Sequence, residues 1–479
     1  MAQVVVVGGG LGGLAAAARL AKLGHDVCLC EATDRLGGAV ASVEHGGFRW
    51  DLGPATMTLP ATVRDLFRKS GRPLERVRTL LPVSTPRRHV FADGTILDLP
   101  VESRSGQREA LEAVLGPDAA TAWETTVDGL TPVWEVLRTR ALEVPFAGGR
   151  ALGVAGLRTL GYGRSLRGFA RTRLAEPRLR QMLEYAALPD GGVPASRAPA
   201  YTAVAAYVER TFGSWYFPGG LIELVTALRD RLAERGVRVR LGAEVVAVTT
   251  DPNAAGDARG SVTGVRLAGG ETVPAQVVVA DVDVRTLADR MLDRPPGTLR
   301  RSARSLRVPP GRPRLLVGVR ADAGSALPYE TVLHPAPGSA GAPIVIRAAA
   351  DREAAPEGHQ AVSVHAAGEV GDGVGGAGEG TPDLLDLLAE RGLDLRARVV
   401  TRVEAPAPAY GPTWRGAWRG LGVPANRTEV GGLFLVGGTA HPGPGVPLVL
   451  LGAATVAQEI GKAQDRPQNR PQNKGQDEA

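Results

Sequence analysis

Cysteine is almost absent from this chain of 479 residues: Cys28 and Cys30 are the two it has, and they stand two apart in one short run. A pair so placed cannot frame a disulfide-stapled secreted fold, and no further thiol exists to complete a cysteine zinc site. Lysine is nearly as scarce, confined to Lys22, Lys69, Lys462 and Lys474, so the basic residues are mostly arginine. The net charge of +6 is small for this length, and aromatic residues at 4% supply little for stacking bases, so no nucleic-acid partner is expected. No apolar run reaches the roughly 18 residues of a membrane-spanning helix. The chain opens Met1-Ala2-Gln3 and passes directly into Val4, without the basic and apolar regions of a secretory leader. These absences lead to the expectation of a reduced, cytoplasmic protein that does not cross a membrane.

Two kinds of catalytic centre are missing as well. His25, His45, His89, His334, His359, His365 and His441 show no ligand spacing for a metal, and no Gly-x-Ser-x-Gly marks a nucleophile elbow. What remains is a chain of ordinary globular composition, 44% hydrophobic, long enough for two or three folding units of about 150 residues.

Its first 31 residues are the most informative. Val4–Val7 is a short β-branched run suited to a buried parallel strand, followed by Gly8-Gly9-Gly10-Leu11-Gly12-Gly13 and an Ala-rich helix ending near Gly24. A second strand over Asp26–Leu29 leads to Glu31. Gly8, Gly10 and Gly13 satisfy G-x-G-x-x-G between strand and helix, where glycine permits the turn and lets backbone approach a pyrophosphate. The helix N-terminus then offers N–H groups and a positive dipole end. Glu31 stands where a carboxylate accepts from ribose hydroxyls, and it would repel the 2′-phosphate of NADP. A dinucleotide site follows.

Further along, Glu31 is followed by Gly37-Gly38 and then by Asp51-Leu52-Gly53-Pro54. Far downstream, Gly432–Val436 reads as a strand running into Gly437-Gly438 and a second helix. Between them lie Arg178-Leu179-Arg180-Gln181, Trp215-Tyr216-Phe217-Pro218-Gly219-Gly220 and Ala280-Asp281-Val282-Asp283, and His441-Pro442-Gly443 follows the last glycine pair. In this order the motifs resemble bacterial phytoene desaturases and related carotenoid dehydrogenases, within the flavin amine oxidase superfamily. The likeness runs over nearly the whole chain and stops at the tail.

The resemblance implies an α/β fold: a Rossmann-like FAD-binding domain with an interleaved α+β substrate domain. The expected division assigns residues 1–99, 210–284 and 425–462 to FAD binding and 100–209 with 285–424 to a substrate- and membrane-facing part. Residues 367–380 are expected to form an exposed loop and 463–479 a disordered tail. FAD contacts are implied for Gly8, Gly10, Leu11, Gly12, Gly13, Glu31, Ala32, Arg35, Gly37, Gly38, Gly53, Pro54, Val245, Gly437, Gly438 and Val446. The family usually has arginine after the second glycine pair. Ala39 stands there instead, and Arg35 is the cation expected in its place. With no cysteine beyond position 30, a cysteinyl link in the C-terminal segment is ruled out, so FAD is expected to be non-covalent.

The implied reaction is desaturation of a carotenoid or isoprenoid polyene, with hydride passing to the flavin and a quinone or O2 accepting the electrons. Such chemistry needs few catalytic side chains and an apolar channel. Arg164 and His441 are the candidates for catalysis. Arg164 either assists proton removal or quinone contact, or is a solvated arginine; His441 either works near the flavin or hydrogen-bonds to backbone in its turn. Isomerisation or ketolation of a similar substrate is the nearest alternative. An amine oxidase would be expected to set an aromatic cage by the flavin, yet no aromatic residue follows Phe434. A non-catalytic prenyl-lipid carrier of the same fold would not need both glycine elements and Glu31.

Between Val144 and Ala175 stand Arg150, Arg158, Arg164, Arg167, Arg171 and Arg173, with no acid. Leu152, Val154, Leu157, Leu160, Leu166 and Phe169 are interleaved with them. That mixture suits an anionic bilayer surface, so peripheral attachment to the inner face of the cell membrane is expected. A solvated helical face is the alternative.

Overall fold

The computed structural model describes residues 1–84, 87–146, 148–188, 193–253, 260–306, 313–321, 324–339, 341–367, 383–406 and 423–463. The Gly-rich stretch from 368 onward and the tail from 464 lie outside these residues.

Strand β1, Gln3–Val7, buries four consecutive valines, as a central strand covered on both faces must. Helix α1, Leu11–Lys22, returns across it, and β2, Asp26–Cys30, pairs parallel to β1 with Val5 opposite Cys28. Three later segments complete a parallel sheet of five strands in the order Leu433–Leu435, Val277–Ala280, β1, β2, Arg238–Arg240. One face packs against α1, Ala61–Ser70, Ile222–Glu234 and Val446–Ile460. The other face, carrying Val5, Val7 and the free thiols Cys28 and Cys30, packs under an antiparallel unit that includes Val245–Asp251 and Ser261–Leu267. This is the doubly covered α/β architecture expected from the first βαβ unit.

A second sheet of seven strands includes Pro313–Arg320, His359–Ala366, Ile344–Ala348 and Glu330–Leu333, and ends in Arg87–Val90 and Ile96–Leu99. Those last two strands correct the expected boundary at residue 99, because they belong to the second sheet and not to the cofactor-binding part. Arg88 stands opposite Thr331 in parallel register. The neighbouring Arg87 is sandwiched between Glu209, at 2.7 Å, and Glu330. Removing so buried a guanidinium from its carboxylates would leave uncompensated charge, which pins this edge.

The helical layer over residues 104–212 has its own core, and here a second expectation changes. Leu152, Leu160 and Leu166 are completely or almost completely buried within it, so they pack inward and are not available to a bilayer. Among the described residues no helix is long and apolar enough to cross a membrane.

Candidate cofactor and active site

Three glycine elements, the third of them about 400 residues beyond the other two, meet at the N-terminus of α1. Gly8 adopts φ +98, a left-handed conformation open to glycine, and a Cβ there would strike the Asp281 carbonyl. Gly37 donates its N–H to the Gly9 carbonyl at 2.8 Å, which lays the second glycine pair against the first. The third element arrives from the C-terminal strand: a Cβ on Gly12 would stand 2.9 Å from the Gly437 nitrogen. At this contact two backbones touch with no room for a side chain.

The other expected residues fall around this junction. Glu31, at the end of β2, accepts from Gly9 N–H at 2.6 Å through one oxygen and from Thr33 N–H at 2.9 Å through the other. Its carbonyl accepts from Ala243 N–H, which brings the start of the strand led by the buried Val245 to the same edge. Ala32 and Arg35 are exposed on the loop after β2. Gly53 sits against Ala39 and Val40, so the Asp51–Pro54 turn abuts the second glycine pair. Leu11 and Val446 are buried at the starts of α1 and of Val446–Ile460, while Gly438 is half-buried beside the buried Gly437.

Arg164 and His441 are not brought together by any contact described for them. Arg164 is exposed in the helical layer, donating to the Thr172 hydroxyl at 3.3 Å while its carbonyl accepts from Ala200. His441 is buried, stacked on Phe146 at 4.4 Å, with Nε2 2.8 Å from the Ala141 carbonyl. Burial holds the imidazole below its usual range against the opposing pull of that carbonyl, so it is neutral with Nε2–H donating.

Several supporting residues escaped the sequence reading. Buried Asn426 donates to the carbonyls of Leu435 at 2.9 Å and His441 at 2.7 Å, clasping both ends of the turn that carries Gly437 and Gly438. No pattern around it advertises this role. Asp351 pairs with Arg49 at 2.7 Å and accepts from Gly219 N–H at 2.8 Å. With Asp51 it lines a cleft together with Trp50, Ala55, Phe217, Tyr329, Arg347 and Ser363. These walls are mixed, unlike the apolar channel expected for a polyene. Burial raises Asp51 to about 7 despite the opposing charge of Arg49.

The chemistry of this junction fits FAD. Gly10, the N-cap of α1, has no side chain to cap the first turn, and a carboxylate acceptor for ribose stands at the end of β2. Residues 11–311 match the family described as flavin containing amine oxidoreductase, and the chain belongs to that family. FAD is therefore its cofactor, with Gly8–Gly13, Glu31, Gly37–Gly38 and Gly437–Gly438 the residues that would hold it.

Two oxygenases and a desaturase are among its relatives. A 4,4'-diapolycopene oxygenase from Methylomonas sp is 29% identical over 63% of this chain and 60% of its own length. The 4,4'-diaponeurosporene oxygenase of Staphylococcus aureus is 30% identical over 59% of this chain and 56% of its own. The chain thus spans about three fifths of those oxygenases. A hydroxyneurosporene desaturase from Cereibacter sphaeroides is 29% identical over 96% of this chain and 97% of its own. Solved structures with this fold include putrescine oxidase bound to putrescine, 17% identical with a TM-score of 0.70 over 96% of this chain and 98% of that one. Cyclohexylamine oxidase from Brevibacterium oxydans is another, 16% identical with a TM-score of 0.64 over 96% and 99%. At such identities these two speak for the fold alone.

Proposed function

We propose that the chain desaturates a carotenoid or closely related isoprenoid polyene, removing a hydride and a proton from neighbouring carbons, with FAD held non-covalently. The observation that carries this reading is the end-to-end match to the hydroxyneurosporene desaturase, over 96% of this chain. When bound, FAD supplies the hydride acceptor for a substrate that offers no acidic C–H. The protein contributes position: the five-stranded sheet and its helices hold the cofactor, and the seven-stranded sheet with the helical layer faces the polyene. A quinone or O2 takes the electrons onward.

Access from a bilayer belongs to the same reading. Arg150, Arg158, Arg164, Arg167, Arg171 and Arg173 are all exposed, and Val144, Val154 and Tyr162 stand exposed near them. An anionic membrane surface, the inner face of the cell membrane, suits that mixture even though the leucines between turn inward. Arg164 on this surface fits docking or quinone contact, and His441 fits a positioning role beside the C-terminal glycine pair.

A second reading, oxygenation of such a polyene, is favoured by the two related oxygenases. FAD-loaded protein incubated with liposomes carrying candidate polyenes separates the two by product mass. Desaturation removes two hydrogens per new double bond, whereas oxygenation adds oxygen; recovery of unchanged polyene in every case would overturn both.

A further inference from the structure

Asp281 follows directly on the strand Val277–Ala280 and lies beneath the glycine junction. Its Oδ2 accepts from Gly13 N–H at 2.7 Å, and Gly12 N–H also bonds to the carboxylate. A Cβ placed on Gly10 would lie 2.6 Å from Oδ2, and one on Gly12 would lie 3.0 Å from Oδ1. A Cβ on Gly437, from the third glycine element, would strike Oδ1. One carboxyl group therefore touches the first and third glycine elements and occupies N–H groups at the positive end of α1. A cofactor pyrophosphate draws on that same dipole end.

Among the described residues, the charges that face Asp281 offer it no counter-ion. α1 has no charged residue in its first turn, and the 437–441 turn brings Gly437 and Thr439 near. From the end of β2, Glu31 acts on Asp281 as a like charge. On its own segment, Asp283 is committed to capping, accepting from Arg285 N–H and Thr286 N–H. Arg35, on the loop after β2, is exposed. A pyrophosphate seated on α1 would add two further negative charges beside a partly buried carboxylate that already has an acid for a neighbour.

We propose that Asp281 forms the floor of the cofactor seat and is protonated when the dinucleotide is bound, so that the chain takes up a proton together with FAD. The proposal rests on the assignment of the three glycine elements to FAD. Two N–H donors hold the carboxylate ionised in the free protein at neutral pH, while burial lifts it to about 6, within reach of a modest further push. The phosphates supply that push, and the neutral carboxyl gains an O–H donor facing them.

Calorimetric titration of FAD into the full-length apoprotein, in buffers of differing ionisation enthalpy, counts the protons taken up. The expected result is uptake approaching one proton per FAD at about pH 7 to 8. The Kd is expected to rise up to about tenfold per pH unit above about pH 6. Asp281→Asn keeps an oxygen for Gly13 N–H and is expected to abolish the uptake while binding FAD at least as tightly at pH 8. Glu31→Gln, a control for the other carboxylate at the site, is expected to weaken binding but retain the uptake. FAD bound without proton uptake by the wild type, or uptake unchanged in Asp281→Asn, overturns the proposal and leaves the cofactor assignment standing. No FAD binding at any pH would overturn both. If Asp281→Asn does not fold, the wild-type proton count and its retention in Glu31→Gln decide.

Discussion

The imidazole Nε2 of His441 donates to the carbonyl of Ala141 across 2.8 Å, joining residues 300 apart in the chain. It ties the turn after the C-terminal glycine pair to the helical layer. His441→Phe would keep the stacking against Phe146 and strand the Ala141 carbonyl. A loss of about 1–3 kcal/mol in unfolding free energy is expected, measured by chemical denaturation, with one FAD still bound per chain. A variant as stable as the wild type that had lost its flavin would place His441 in direct contact with the cofactor instead.

Glu31 has its oxygens shared between Gly9 N–H and Thr33, which fixes the carboxylate at the end of β2. Glu31→Ala removes a charged acceptor worth roughly 1.5–3 kcal/mol. FAD binding, followed by flavin fluorescence, is expected to weaken by about one to two orders of magnitude while the circular dichroism spectrum stays unchanged. Equal affinity would remove Glu31 from the site.

How much of this was legible in the sequence depends on how local each constraint is. β1, α1, β2, Gly8–Gly13 and Glu31 could be read directly, because a turn, a helix start and a strand end are specified within 31 residues. The meeting of Gly12 with Gly437 could be named only through resemblance, since nothing local encodes a contact 425 residues away. Asp281 was visible after a buried strand, yet its role depends on two distant glycine elements converging on it. The strands Arg87–Val90 and Ile96–Leu99 were misassigned because their partner, Glu330–Leu333, lies far downstream. Leu152, Leu160 and Leu166 show a different limit: spacing marks an apolar face but not whether protein or lipid covers it.

Asp51 provides a pH test. Its folded value is raised from 3.8 to about 7, so its stabilising contribution is fully present below about pH 4 and lost as pH rises through about 7. Asp51→Asn, which keeps an acceptor oxygen, is expected to remove this alkaline loss. Its stability advantage over wild type should grow by a few kcal/mol, in order of magnitude, between about pH 5 and about pH 8. Parallel denaturation profiles for the two proteins would show that the Asp51 charge is already compensated.

The arginine face makes a separate prediction. Changing Arg158, Arg167, Arg171 and Arg173 to Gln should remove about 1 kcal/mol of attraction per charge to an anionic surface. Sedimentation with anionic liposomes is expected to fall sharply, and high salt should mimic the change in the wild type. FAD content should not move. A wild type that ignores anionic liposomes at low salt would make this an ordinary solvated face.

Anaerobic mixing of FAD-loaded protein with a liposome-borne polyene, followed by absorbance, tests polyene desaturation most directly. The oxidised-flavin band is expected to bleach as the polyene spectrum moves to longer wavelength, with one new double bond for each flavin reduced. A flavin that stays oxidised with every polyene offered, yet is reduced by a simple amine, would contradict polyene desaturation.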